Sequence, residues 1–380
     1  MIVTVERNGM ECLIALPSSD AEIFNQQRKI GVLDPKDTVM LVKNIDSDIC
    51  ELSCLKGKLV DIDHLNLLAR YIDGMTYEEM TEFSAALCYT EYKDIKDIIN
   101  LTQNLSNYTL IPNNKTLEYA GKRHYMNVHG CLCAEDEESI DFAQLSKEII
   151  RRADSVSTPY GVVCENGLEK VSVFDGQTMP TYFDRRYVIA CEIIYGEKSE
   201  MLFLPCDDIS LEKAAARLGA SDISDVGIRI DESYIECKAF NDMLHKVDTA
   251  TLEELNRLAQ ATFDLDIDDF DKLNAVAEYA DERVKSISEY ILLAEHIDDF
   301  IYVPNVDDEY ELGEYLIRES GEYLYDASLD DYYGYMTFGK DMKRIQNGEF
   351  INRSYVGLNE NLSLDEILRQ NRICMQMGGM

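Results

Sequence analysis

Two stretches of this chain repeat each other, and that repeat limits the fold more than any other feature. Tyr108-Thr-Leu-Ile-Pro112-Asn113 lies over Phe300-Ile-Tyr-Val-Pro304-Asn305, and Ala120-Gly121 over Leu312-Gly313, at a constant shift of 192. Self-similarity at a fixed shift means one supersecondary unit used twice, so the elements have to be read copy against copy.

The match extends in both directions. The first copy opens with Ile2-Val-Thr-Val5, a turn at Asn8-Gly9, and Glu11-Cys-Leu-Ile-Ala-Leu-Pro17. The second opens with Cys191-Glu-Ile-Ile194, a turn at Tyr195-Gly196-Glu197, and Glu200-Met-Leu-Phe-Leu-Pro205. Both read as β-hairpins, and at a shift of 188 Leu16-Pro17 falls on Leu204-Pro205. A helix follows in each, with Asp20 and Asp208 as candidate N-caps and Gly31 and Gly219 as stop signals. Met40-x-Val42 and Val226-x-Ile228-x-Ile230 then alternate as half-buried strands do. Leu65-Asn66-Leu67-Leu68 lies over Leu255-Asn256-Arg257-Leu258, and a helix from Ile95 to Leu105 over one from Ile287 to Ile297. Leu145-Ser-Lys147-Glu148 pairs with Phe338-Gly-Lys340-Asp341, and Tyr160 with Tyr355, by which point the shift has drifted to 195. The order predicts an α+β chain of two units, 1–187 and 188–358, each of three small α/β or helical parts. A C-terminal tail, 359–380, is expected to hold a short helix at Leu364–Leu368 and to fray at Met377–Met380.

Charge separates the copies. Residues 1–187 hold 30 acids against 19 Lys and Arg; residues 188–380 hold 42 against 17, within a net charge of −36. A field of that sign repels nucleic acid and anionic membranes and attracts cationic proteins. Eleven cysteines without regular spacing read as reduced, mostly buried thiols, Cys12, Cys88, Cys164 and Cys191 among them. The charged N-terminal stretch lacks a signal peptide's apolar core, and no apolar run approaches a membrane span. The expectation is a cytoplasmic protein.

Metal and catalytic motifs are thin. Asp264-Leu-Asp266-Ile-Asp268-Asp269-Phe-Asp271 starts like a calcium loop, but Asp269 stands where the turn needs Gly and Ala275 where the bidentate Glu belongs. It reads better as an acidic helix entry. His124, His129, Cys131 and Cys133 cluster within ten residues, at a spacing that matches no common zinc site. There is no G-x-S-x-G, P-loop or dinucleotide fingerprint, and no histidine stands in a recognisable catalytic setting. The sequence reads as a non-enzyme without a cofactor.

Charge as mimicry is the sharper reading. A DNA duplex carries one negative charge per ~1.7 Å of axis, so 36 net charges match roughly 60 Å, or about 18 base pairs. Copy two in particular, with Asp307-Asp308-x-x-x-Leu312-Gly313-x-Tyr315-x-x-x-x-Ser320-Gly321 followed by Tyr335-x-x-Phe338-Gly339-Lys340-Asp341, resembles the ArdA antirestriction family. The resemblance implies an elongated, three-part protein that imitates bent DNA and occupies the DNA groove of type I restriction-modification enzymes. It covers copy two to about Leu358 and copy one more weakly, because Asn113-Asn-Lys-Thr-Leu-Glu-Tyr-Ala-Gly121 lacks the acids of Asp307-Asp-Glu-Tyr-Glu-Leu-Gly313. Ala327-Ser-Leu-Asp-Asp-Tyr-Tyr333 falls where that family has its antirestriction motif. The family implies a homodimer; doubling in one chain opens the alternative of an intrachain pseudo-dimer. The implied partner is the methyltransferase core, with no direct nucleic-acid or membrane contact; the competing expectation is a different basic DNA-handling or defence protein. The expected partner-binding acids are Asp264, Asp266, Asp268, Asp269, Asp271, Asp298, Asp299, Asp307, Asp308, Glu309, Glu311, Glu314, Asp326, Asp330, Asp331 and Asp341. Positions 307, 308, 309 and 311 carry most weight, since copy one lacks them.

Overall fold

A computed structural model describes residues 1–180, 187–233, 240, 241, 244, 250–280, 283, 284, 286–359 and 362–369. The chain is α+β and divides into two compact units. One is Met1–Asp184 together with Asp207–Asp222; the other is Arg185–Cys206 together with Ile223–Met380.

In the first unit, β1 (Ile2–Arg7) and β2 (Met10–Ala15) form the expected hairpin, with Asn8 and Gly9 at φ 53° and 81° in the turn. Helix α1 (Asp20–Arg28) follows, then β3 (Val39–Asp46) and β4 (Leu59–Asp61), giving the antiparallel order β2-β1-β3-β4. The N-cap of α1 is Ser19 rather than Asp20: its hydroxyl takes the Glu22 N–H, and the Glu22 carboxylate returns to the Ser19 N–H. The reciprocal bond fixes the cap one residue earlier than the acidic signal suggests. Three helices form the middle part, α2 (Ile62–Asp73), α3 (Tyr77–Thr90) and α4 (Ile95–Thr102). The third part runs β5 (Tyr108–Pro112), α5 (Leu117–His129), α6 (Ala134–Ser139), α7 (Phe142–Ile150), β6 (Val156–Thr158) and β7 (Gly161–Glu165), in the order β5-β7-β6. Val3, Ile14, Leu52, Leu65, Phe83 and Ile98 share one core, and Phe174 closes it. The segment carrying Phe174 is held by Asn100, Asn104 and Asn107, whose side chains bond the backbone of residues 168–174.

The second half of the chain follows a similar element order, with no counterpart of β4 among the described residues and a 3-10 turn in the place of α6. Strands β8 (Ile189–Tyr195) and β9 (Lys198–Leu204) form a hairpin, α8 (Asp208–Leu218) follows with Asp207 as its N-cap in place of the expected Asp208, and β10 (Gly227–Ser233) completes the order β10-β8-β9. Helices α9 (Leu252–Thr262), α10 (Ile267–Ala280) and α11 (Ile287–Glu295) stand for α2–α4. Then come β11 (Phe300–Pro304), α12 (Glu309–Arg318), a 3-10 turn at Ala327–Tyr332, α13 (Tyr335–Ile345), β12 (Glu349–Ile351) and β13 (Ser354–Leu358), in the order β11-β13-β12. Residues 364–369 are helical with Leu364 and Ile367 buried, while Met377–Met380 lie outside the described residues.

Three devices recur in both copies. Asn66 Oδ1 accepts the Ser18 N–H at 3.0 Å and its Nδ2 donates to the Ser18 carbonyl at 2.9 Å. Asn256 does the same to Cys206 at 2.9 and 2.8 Å. The Leu-Asn and Leu-Pro motifs of the sequence are thus two halves of one clamp. At the α5/α7 crossing a Cβ on Gly121 would overlap the Phe142 carbonyl, and at α12/α13 one on Gly313 would overlap the Tyr335 carbonyl. Glycine permits that approach of backbones. Helix α10 starts where α3 does, at a shift of 190: Asp266 Oδ1 takes the Asp269 N–H at 2.9 Å and Asp269 Oδ2 the Asp266 N–H at 3.3 Å. This repeats the Thr76–Glu79 capping box.

Candidate acidic binding surface

The expected acids lie in the second unit and sort by what already holds them. Asp266 and Asp269 cap α10, so the calcium-like spacing is a helix entry. Among the described residues no group of three or more His, Cys, Asp or Glu is placed to hold a metal. His124 belongs to another network: its Nδ1 lies 2.7 Å from Thr109 Oγ1, which donates to Asn166. Burial, first, and then Arg152 depress its pKa. Cys133 caps α6 and bonds Asp136, and Cys131 is exposed.

The four carboxylates of greatest expected weight all have local partners. Asp308 caps α12, accepting from Tyr310 and Glu311 N–H at 2.9 Å each. Thr116 does this for α5 at the equivalent place. Glu311 accepts the Asp307 N–H at 2.7 Å. Glu309 lies 3.1 Å from Lys343 Nζ, whose hydrogen bond holds the carboxyl below its ordinary range. Asp307 sits 3.6 Å from Arg353. The two ion pairs cannot be read from a sequence, because Lys343 and Arg353 reach Glu309 and Asp307 only through the crossing of α12 with α13 and the pairing of β13 with β11.

Asp330 is the most tightly held acid. Arg318 grips it through Nε and through Nη2, which reaches both carboxylate oxygens, and the Tyr335 and Tyr325 hydroxyls donate to it at 2.5 and 3.0 Å. The Arg318 bond, first, and then Tyr335 bring its pKa down to about 2. Arg318 also pairs with Glu314 and stacks 5.3 Å over the Tyr335 ring. Asp299 pairs with His296 at 2.7 Å, Asp341 with Arg344 at 3.5 Å, and Asp326 caps the 3-10 turn through Ser328, whose hydroxyl bond lowers its pKa.

What remains is a smaller set. Asp264, Asp268, Asp271, Asp298 and Asp331 are exposed and form no ion pair among the described residues. Asp264 lies just before α10, Asp268 and Asp271 in its first turns, and Asp298 in the 3-10 turn after α11. Lys272, half-buried on α10, has its pKa lowered by burial while Asp298, Asp269 and Asp299 pull it back. Beside Asp331 the chain exposes Leu324 and Tyr332 at 98% and 86%. The sequence reading named the charges and missed these apolar neighbours, whose signal is the aromatic run Tyr323–Tyr335.

The cysteine expectation needs one correction. Cys12, Cys164 and Cys191 are buried, but Cys50, Cys131 and Cys133 are exposed and Cys88 is only half-buried; all nine described thiols are free. Among the described residues no helix is long and apolar enough to cross a membrane. No family model matches the chain, and no curated protein matches it.

Proposed function

We propose that this chain is an acidic, non-catalytic binding protein of the ArdA antirestriction kind, which occupies the DNA groove of a type I restriction-modification enzyme. The observation that supports it most directly is the set of exposed carboxylates in the second half that form no ion pair among the described residues, Asp264, Asp268, Asp271, Asp298 and Asp331. They stand on a half with 42 acids and 17 bases. Carboxylates outside ion pairs present most of their field to a Lys- and Arg-lined groove, and complementary fields speed and orient such encounters. The acids locked to Arg318, Lys343 and Arg353 contribute less, since their charge is already met at close range.

The test is competition between the protein and a cognate DNA site for a purified type I methyltransferase core at two salt concentrations. Displacement that weakens steeply as salt rises is expected. Absence of displacement at low salt ends the restriction reading and leaves the alternative, a different basic DNA-handling protein. Changing Asp264, Asp268, Asp271, Asp298 and Asp331 together to Asn should weaken displacement more than amidating Asp307, Asp308, Glu309 and Glu311.

A further inference from the structure

The least acidic part of the chain carries its own cation-directed pocket. A cleft of about 440 Å³ opens in the first unit beside the β1/β3 sheet and the end of α2, within the ~300–1,000 Å³ range of pockets that take small ligands or single side chains. Its apolar wall includes Met1, Met75 and Met80, all half-buried against the main core. Its polar lining includes Asp46, Asp48 and Asp73, exposed carboxylates with no ion pair or side-chain hydrogen bond among the described residues. The Met1 ammonium donates to the Leu16 carbonyl at 2.8 Å and offsets part of this charge, leaving the lining net negative. The three carboxylates form no metal-holding group, so they address a cation that is spread out, or several cations.

We infer that this cleft binds a lysine- or arginine-bearing segment of a protein partner. The chemistry of the lining selects that occupant. Lys and Arg lay an aliphatic stem on apolar surface while the charged head stays at the rim. Methionine walls adapt to stems of different shape. A purely apolar ligand would leave three carboxylates unanswered, and a compact inorganic cation would leave the methionine wall idle. The inference does not rest on the restriction reading: any basic protein with an exposed Arg-Leu or Lys-Leu segment satisfies it.

The full chain with 13C-methyl methionine, titrated with a synthetic peptide alternating arginine and leucine, tests it. The Met75 and Met80 resonances, assigned with Met75→Leu and Met80→Leu, should shift saturably. The triple change Asp46→Asn, Asp48→Asn, Asp73→Asn should weaken binding about tenfold. The matched triple Glu135→Gln, Glu138→Gln, Glu169→Gln removes the same charge from exposed positions elsewhere in the first unit and should leave those shifts intact. Three results would overturn the proposal: no saturable shift, equal weakening by both triples, or equal binding of a glutamine–leucine peptide. Unchanged thermal midpoints in both triples show that folding is not what the titration reports.

Discussion

The third parts of the two copies share one strand order and differ in what fills it. Ile111 and Ala120 occupy in one core the places of Val303 and Leu312 in the other. At the helix crossing, Gly121 and Gly313 play one role, but their partners differ. Copy one has Ser146, buried, with its hydroxyl donating to the Leu117 carbonyl at 2.6 Å. Copy two has Gly339, where a Cβ would overlap the Glu309 carbonyl, the equivalent acceptor. Copy one therefore leaves room for a side chain and a hydrogen bond where copy two packs backbone on backbone. The charges invert as well: Lys122, on α5, stands where Glu314 stands on α12. A repeated frame constrains apolar and glycine positions and leaves polar ones free to diverge.

The largest test of that divergence lies in the first helices. Asn25 of α1 is exposed, whereas Lys213, its counterpart on α8, is 1% exposed and bonds Asp20 at 2.9 Å and Asp63 at 2.5 Å. Burial lowers the Lys213 pKa, but Asp63 and Asp20 outweigh it and hold the ammonium above its ordinary range. Giving α8 the residue of α1, Lys213→Asn, leaves the buried Asp63 and the half-buried Asp20 facing each other, with Arg217 at 3.6 Å from Asp63 as the remaining cation. A loss of about 3–5 kcal/mol is expected in urea unfolding, against roughly 0.5 kcal/mol or less for Asn25→Lys on its exposed face. Similar costs for the two swaps would show that the buried charges do little for stability.

Exchanging the crossing residues comes next. Gly339→Ser should cost up to about 3 kcal/mol, because the helices must separate to admit a Cβ. Ser146→Gly should cost about 1–2 kcal/mol, from one lost hydrogen bond and the added freedom of glycine in a helix. Unfolding monitored by fluorescence from the tyrosines and by helix signal would rank them. The reverse ranking would mean that α12 and α13 can shift apart freely.

Much of this frame was legible and most of the polar filling was not. The hairpin turn at Asn8-Gly9, the glycines of the crossings and the matched prolines carry short-range signals that survive in one sequence. The acids at 307 and 309 look like free charge in the sequence because their partners come from other elements. Arg353 is 46 residues from Asp307 and Lys343 is 34 from Glu309. Asp266 and Asp269 could have been read as caps from Thr76 and Glu79 at the shift of 190, since a capping box is a local pattern. The clamp between Asn66 and Ser18 needed the fold, as its halves lie 48 residues apart.

That clamp gives a prediction on which the copies should agree. Asn66→Ala and Asn256→Ala each strip two hydrogen bonds from a buried or half-buried backbone amide and carbonyl, for about 2 kcal/mol apiece. Equal losses support one frame used twice. A loss confined to one copy would show that the other tolerates water at the same backbone groups, and hydrogen exchange at Ser18 and Cys206 would locate it.

The smallest effect concerns how each copy ties its helix to the segment beyond it. Copy one uses Lys122 with Glu137 at 2.8 Å, whose hydrogen bond holds the glutamate below its ordinary range. Copy two uses Arg318 with Asp330, and Tyr335 and Tyr325 add donors. Asp330 moves from 3.8 to about 2. A depressed carboxylate contributes stability above its unfolded pKa and loses it as pH falls through the folded value. Wild type should therefore exceed Asp330→Asn in thermal midpoint near neutral pH, with the gap shrinking below about pH 4 and largely gone by about pH 2. The 13Cγ shift of Asp330 should follow the same low midpoint, and Arg318→Gln should raise it toward the ordinary carboxylate range. A gap that stays constant with pH would assign the difference to the altered geometry of the asparagine rather than to the carboxylate's charge.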